Sequence, residues 1–194
     1  TIASFPQLTG LCLANYTSDP VFRSRLAAPP EEDPQAAVGH WASVFGNQSL
    51  SWDDLAWFRS LTSLPILLKG IQSVDDVRLA ADQGLDGIVV SNHGGRQVDG
   101  AVASLDVLAS LGDEVGDLTV LFDSGVRSGS DVFTALALGA DAVILGRPYV
   151  YGLALAGAEG VQAVVEHTLA ELDLTMALMG HASVAEIHRG ALAR

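Results

Sequence analysis

The chain has 194 residues, a formal charge of −13, 49% hydrophobic residues and only 17% charged ones. That length and apolar content suffice for one ordinary domain with a sizeable core, and they exclude disorder as the main state. The acidic balance argues against nucleic acid as a partner, and no apolar run approaches the roughly 20 residues of a membrane helix. A single cysteine, Cys12, excludes an intrachain disulfide and fits a reducing cytoplasm.

The chain begins at Thr1, in what reads as a loop, and is expected to be part of a longer polypeptide. Residues 1–63 read as a connecting segment. Within it, residues 29–51 carry Pro29, Pro30 and Pro34, the acidic run Glu31-Glu32-Asp33 and many small residues. This predicts a long irregular connection, the kind that serves as an active-site lid. Ser51-Trp52-Asp53-Asp54 then caps a helix running to Leu61.

From residue 64 short apolar runs alternate with helical stretches, the signature of βα units and a parallel sheet. The predicted strands are Pro65–Lys69, Gly87–Ser91, Thr119–Asp123 and Ala142–Leu145. Ser73 and Ser128 each precede an acidic residue three positions on, a variant capping box, and Gly84 and Gly139 stand where helix C-terminal caps belong. A short helix is predicted over Leu105–Leu111, and helical periodicity covers Val161–Met179 and Val184–Leu192.

The pattern repeats. Shifted by 55 residues, Gly70, Ser73, Asp76, Val77, Ala80, Gly84 and Asp86 fall on Gly125, Ser128, Asp131, Val132, Ala135, Gly139 and Asp141. Two βα units per repeat suit a (β/α)8 barrel, and four units make its second half. The fold class is therefore α/β, the C-terminal half (strands 5–8) of a (β/α)8 barrel over residues 64–194, preceded by the lid segment. A bare half leaves open sheet edges, so the N-terminal half of the same barrel is expected as a partner.

Every predicted strand delivers polar residues at its C-terminal end, the barrel face where active sites sit. Of the ten basic residues nine are Arg, and Lys69 is the sole lysine. Its position after an apolar strand suits a fixed cation facing an anion, against the plainer reading of a lysine reaching out of the barrel end. His93 and Arg96 flank Gly94-Gly95, and a base beside a guanidinium suits an anionic substrate gripped by its carboxylate. Gly125, Arg127, Gly146 and Arg147 close the last two strands. Together with the helix start near Ser128 they suit a phosphate site, against a reading as surface arginines. His40 falls in the lid segment; His167, His181 and His188 in the tail read as structural or surface residues. No HExxH or Cys/His cluster points to a metal, and Cys12 has no evident base partner.

Pro65-Ile66-Leu67-Leu68-Lys69-Gly70, Ser91-Asn92-His93-Gly94-Gly95-Arg96-Gln97, Asp123-Ser124-Gly125-Val126-Arg127 and Leu145-Gly146-Arg147-Pro148 together resemble the FMN-dependent α-hydroxy-acid oxidase and dehydrogenase family. The resemblance covers residues 64 to about 190, and Ser91–Gln97 is its specific part. Within the family, Gly10–Tyr16 and the Pro-rich lid are most similar to the L-lactate 2-monooxygenase branch. The resemblance implies FMN as cofactor, an L-2-hydroxy acid such as L-lactate as substrate, and O2 as acceptor. It implies Lys69 at the flavin edge where negative charge collects, Ser91 against the ring, and Asp123 on ribityl hydroxyls in a stretch shared with Ser124 and Gly125. Arg127, Gly146 and Arg147 would hold the phosphate, His93 would be the catalytic base and Arg96 the carboxylate clamp. Retention of pyruvate behind a lid would give acetate, CO2 and water; its release would give pyruvate and H2O2. A homo-oligomer, tetramer or higher, is implied too. The family's first four strands, with a substrate-binding Tyr and the carboxylate that orients the histidine, have no counterpart in these residues, and Ser128 stands where relatives often carry a second basic residue. A lactate oxidase, lactate dehydrogenase or glycolate oxidase-like enzyme is the first alternative. A non-catalytic FMN- or phosphate-binding half-barrel is the second, and another barrel enzyme with the same phosphate site the third.

Overall fold

The structure, a computed structural model, describes residues 13–47 and 49–192. Cys12, with Gly10 and Leu11 of the Gly10–Tyr16 resemblance, lies outside the described residues. The chain divides into two compact units, one ending at Ser51 and one starting at Trp52.

The first unit holds helices α1 (Ala14–Thr17), α2 (Pro20–Ser24) and α3 (Pro34–Val44). The expected irregular connection over residues 29–51 is thus corrected: eleven of those residues form α3. Two Asp-Pro pairs explain the helices. Asp19 and Asp33 accept the backbone N–H groups of Phe22 (2.7 Å) and Ala36 (3.0 Å), and Pro20 and Pro34 occupy the first helical turn, where a missing N–H costs nothing. The unit has its own small core of Leu13, Phe22, Ala37, Val38 and Trp41, and the His40 ring packs 4.9 Å from that of Phe22.

The second unit opens with a 3-10 turn at Trp52–Asp54 and helix α4 (Leu55–Leu61). Four parallel strands follow, β1 (Leu67–Ile71), β2 (Gly87–Val90), β3 (Thr119–Phe122) and β4 (Ala142–Val143), hydrogen-bonded in sequence order. Between and after them run α5 (Val74–Asp82), α6 (Ser104–Leu111), α7 (Gly129–Ala137) and α8 (Arg147–Leu178). Ile88, Val90, Val120 and Phe122 alternate along β2 and β3 and form the core with Val77, Ala80, Leu108, Leu111 and Ala135 of the helices. Lys69 is in register with Val89, and Val89 with Leu121, on the opposite face of the sheet. Parallel strands in sequence order, joined by helices that cover one face, make this unit half of a (β/α)8 barrel.

The internal repeat has a structural meaning. Ser73 and Ser128 cap α5 and α7 by accepting the N–H groups of Asp76 and Asp131, and Asp131 returns the bond to complete a capping box. Gly84 and Gly139, at φ +68° and +108°, close both helices with the N–H of the following residue reaching back to Ala80 and Ala135. Asp86 and Asp141 then each accept an N–H from within one residue of the start of the preceding strand, from Ile66 and Val120 at 2.7 Å. One carboxylate per repeat pins two adjacent parallel strands.

Three elements differ from expectation. β4 stops at Val143 rather than Leu145, because its far edge pairs with no strand among the described residues. Helix α8 starts at Arg147, far ahead of Val161, and breaks at Ala156-Gly157. The glycines in its first half hid its periodicity; they serve close packing, Gly152 lying against Gly160 with no room for a Cβ on either. Val184–Leu192 forms two short 3-10 turns, Val184–Glu186 and Arg189–Ala191, and not a helix, the second capped by His188.

Helix α7 packs so tightly on α8 that a Cβ on Gly129 would lie 2.1 Å from the Leu172 backbone nitrogen. Backbone cannot swing aside as a side chain can. Gly129→Ala should destabilise the fold by about 1–3 kcal/mol, the usual cost of overpacking, read as a lower denaturation midpoint.

Candidate active site

The C-terminal ends of β1, β2 and β3 converge on a polar network. A bulge at Gly70 (φ +98°) interrupts the β1–β2 register directly after Lys69. Lys69 Nζ donates to Ser91 Oγ at 2.9 Å and forms an ion pair with Asp123. Ser91, 3% exposed, donates to Asp123, as does Ser124 Oγ at 2.7 Å. Burial pushes the Asp123 carboxyl up, but the hydrogen bonds from Lys69, Ser91 and Ser124 outweigh it and hold the group below its ordinary value of 3.8. A depressed carboxyl stabilises the fold above the unfolded value and loses that contribution as pH falls through the folded one. The stability difference between the protein and its Asp123→Asn variant should therefore be constant from neutrality to about pH 5 and shrink below that, measured by denaturant midpoints across pH.

The next turn carries His93 and Arg96. His93, Gly94 and Gly95 all have positive φ (+57°, +67° and +74°). For His93 this is an uncommon conformation, of the kind found at functional sites. It is held in place: the His93 N–H donates to Ser91 Oγ at 3.1 Å, and Asn92 Oδ1 accepts from Gly94 (3.0 Å) and Gly95 (3.3 Å). Gly94 is grasped from the other strands too. Its N–H also reaches Ser124 Oγ at 3.0 Å, and its carbonyl accepts from Arg147 Nη2 at 3.0 Å. A Cβ on Gly94 would stand 2.7 Å from that same nitrogen and displace the Arg147 side chain, and the φ of +67° itself favours glycine.

Lys69, His93, Arg96, Asp123, Arg127 and Arg147 line one cavity of about 170 Å³, with Gly125 and Gly146 in its wall. Four of the ten basic residues of an acidic chain thus surround one space, with a single carboxylate among them. A Cβ on Gly125 or Gly146 would meet nothing within 4 Å, so the backbone there faces open space. A larger neighbouring cavity of about 490 Å³ shares Gly94, Ser124, Gly125 and Arg147, but neither Lys69 nor His93 lines it. The charged chemistry sits in the smaller one.

The structure thus brings together Lys69, His93, Arg96, Asp123, Ser124, Gly125, Arg127, Gly146 and Arg147, with Ser91 hydrogen-bonded behind them. It does not supply the helix start at Ser128 as an anion site. The Arg127 and Ser128 N–H groups donate to Asp131 (2.8 and 3.0 Å), and that of Gly129 to Glu171 (2.8 Å). Those amides already hold carboxylates, and an added anion would face like charge. What the cavity offers an anion instead is its arginine side chains and the open backbone at Gly125 and Gly146. Asn92 was missed as a functional residue, although an Asn before His-Gly-Gly signals a side chain folding its own turn. His167 pairs with Glu171 at 3.3 Å, and His181 packs between Phe133 and His188. Among the described residues no group of His, Cys, Asp and Glu suits a metal, and no helix is long and apolar enough to cross a membrane.

Comparison with known proteins bears on this geometry. The family described as FMN-dependent dehydrogenase matches residues 2–194. The chain is 46% identical over 194 residues to the FMN-dependent alpha-hydroxy acid dehydrogenase qulF of Penicillium citrinum, covering 98% of this chain and 48% of that protein. It is 45% identical over 180 residues to an L-lactate oxidase of Lysinibacillus sphaericus, covering 92% and 46%. 2-Hydroxyacid oxidase 1 of Homo sapiens is 47% identical over 169 residues, covering 86% and 46%. Among solved structures, mandelate oxidase with (S)-4-hydroxymandelic acid superposes with a TM-score of 0.73 at 45% identity, covering 80% of this chain and 43% of that one. The chain spans a little under half the length of these relatives.

Proposed function

The chain belongs to the FMN-dependent dehydrogenase family, and from that membership we propose that it carries the catalytic half of an enzyme oxidising L-2-hydroxy acids, L-lactate first among them, with O2 as acceptor. The observation that carries this reading is the convergence of Lys69, His93, Arg96, Arg127 and Arg147 on one cavity. The residues fit FMN: two arginines and the open backbone at Gly125 and Gly146 suit its phosphate, Asp123 and Ser124 its ribityl hydroxyls, and Lys69 with Ser91 an electron-rich ring edge. FMN, when bound, supplies the two-electron acceptor that the protein's own side chains lack.

The remaining roles belong to the chain. Arg96 grips the substrate carboxylate with its planar fork and so fixes which face of the α-carbon is presented. His93 Nε2 or Nδ1 takes the proton released as the hydroxyl becomes a carbonyl. Lys69, braced by Ser91 and Asp123, holds a positive charge where negative charge develops, without reorganising during the reaction. The open edges of β1 and β4 are where the other half of the barrel would pair, and the first unit, with α3, would act as a lid over a homo-oligomeric, cytoplasmic enzyme.

A lid that retains the 2-oxo acid favours the monooxygenase outcome, in which L-lactate and O2 give acetate, CO2 and water. The relatives named L-lactate oxidase and 2-hydroxyacid oxidase support the other outcome, pyruvate and H2O2. Oxygen uptake and product analysis on the full-length protein with L-lactate, D-lactate, glycolate and mandelate test the proposal. Uptake with the L acids and Arg96-dependent saturation are expected, and acetate with CO2 marks the monooxygenase. Oxygen uptake with none of them would overturn the reading.

A further inference from the structure

We propose that Asn92 is a positioning residue that sets the catalytic turn, fixing His93 and Arg96 relative to one another; this deepens the proposed hydroxy-acid oxidation and rests on it. Between the base and the clamp stand only Gly94 and Gly95. Two adjacent glycines have no side chains to pack and the widest choice of backbone conformations. Left alone they would let His93 and Arg96 wander apart, yet both must act on one small substrate. Ser124 and Arg147 hold Gly94 from the neighbouring strands, and Asn92 is the side chain that bonds both glycines at once. Its Oδ1 accepts both glycine N–H groups, at 3.0 and 3.3 Å. Its Nδ2 donates to the Val102 carbonyl at 3.2 Å and so ties the following loop to the same side chain.

Asn92 is itself anchored. Its own N–H donates at 2.7 Å to Ser104 Oγ, a hydroxyl that is 2% exposed at the start of α6. Gln72 Nε2, from the end of β1, reaches that hydroxyl at 3.4 Å. The turn geometry is thus referred to the rigid sheet and to α6. The two ends of the amide do separate work. Oδ1 shapes the turn; Nδ2 holds the loop. Asparagine supplies acceptor and donor together, and aspartate supplies only the acceptor.

That division gives the test, made on the FMN-loaded full-length protein. Amide hydrogen exchange at Gly94 and Gly95 and in residues 97–103 is measured alongside flavin content and the rate of anaerobic flavin reduction by L-lactate. In Asn92→Ala both regions should exchange at least about 10-fold faster, flavin content should stay near stoichiometric, and reduction should slow about 10²-fold, the scale of a misplacement near 1 Å. In Asn92→Asp the Gly94 and Gly95 amides should keep their protection while residues 97–103 lose theirs, and reduction should stay within about 10-fold of the unaltered protein. If Asn92→Ala does not fold, the Asn92→Asp exchange pattern decides alone. Unchanged exchange or unchanged reduction in Asn92→Ala, or equal loss of turn protection in both variants, would overturn the proposal. If L-2-hydroxy acids do not reduce the unaltered protein, the proposed function fails, and the exchange data still decide whether Asn92 sets the turn.

Discussion

His93→Ala is expected to slow anaerobic flavin reduction by about 10²–10⁴-fold, the usual contribution of a positioned general base. Flavin content should hold, because the His93 imidazole takes no part in the Arg147–Gly94 contact or in the Lys69–Ser91–Asp123 network. The turn keeps its shape without the imidazole, since the bonds that build it come from the His93 backbone, Asn92 and Ser124. Rapid-mixing absorbance with saturating L-lactate separates the rate from affinity: the loss should fall on the limiting rate. Reduction within a few-fold of the unaltered protein would remove His93 from the role of base.

The second large effect concerns Lys69. Lys69→Met removes the cation facing the cavity and also strips Asp123 of its ion pair, leaving a carboxylate whose side chain is 17% exposed. Removing a preorganised charge-stabilising group typically costs about 10²–10³-fold in rate, and an unpaired, largely buried carboxylate adds a stability loss. Both losses should appear together: slower flavin reduction and a lower melting temperature. Lys69→Arg should restore stability better than rate, because the guanidinium fork keeps the charge but cannot place a point charge as the ammonium does. A Lys69→Met variant with normal reduction kinetics would show that Lys69 serves Asp123 alone.

Much of this was legible in the chain. The period of apolar runs places all four strands to within two residues, and the sequence marks Ser73, Ser128, Gly84 and Gly139 as caps; the 55-residue repeat matches Asp86 with Asp141, whose strand-pinning bonds only the structure shows. Strand-end polarity picked out the residues that line the cavity. What stayed hidden had physical causes. Helix α3 was masked by its proline-rich approach, although Asp33-Pro34 is itself a helix start. The first half of α8 is masked by glycines that allow close contact across the break at Ala156-Gly157. The 3-10 turns near the C-terminus carry local bonds that periodicity does not register, Ala182 N–H to Glu186 at the first and Gly190 N–H to His188 at the second. At the site, sequence gave residues but not their partners. That Asp123 pairs with Lys69, that Gly94 is gripped from two other strands, and that Asp131 and Glu171 occupy the amides leading into α7 are facts of three-dimensional approach.

We propose that this cavity, completed by the rest of the barrel, oxidises an L-2-hydroxy acid with electrons passing to FMN. An anaerobic absorbance spectrum of the purified full-length protein before and after adding L-lactate addresses it most directly, with D-lactate as control. Bound flavin that bleaches with L-lactate and not with D-lactate is the predicted result. Bound flavin that ignores L-lactate and every other L-2-hydroxy acid, or protein that holds no flavin, would contradict the account.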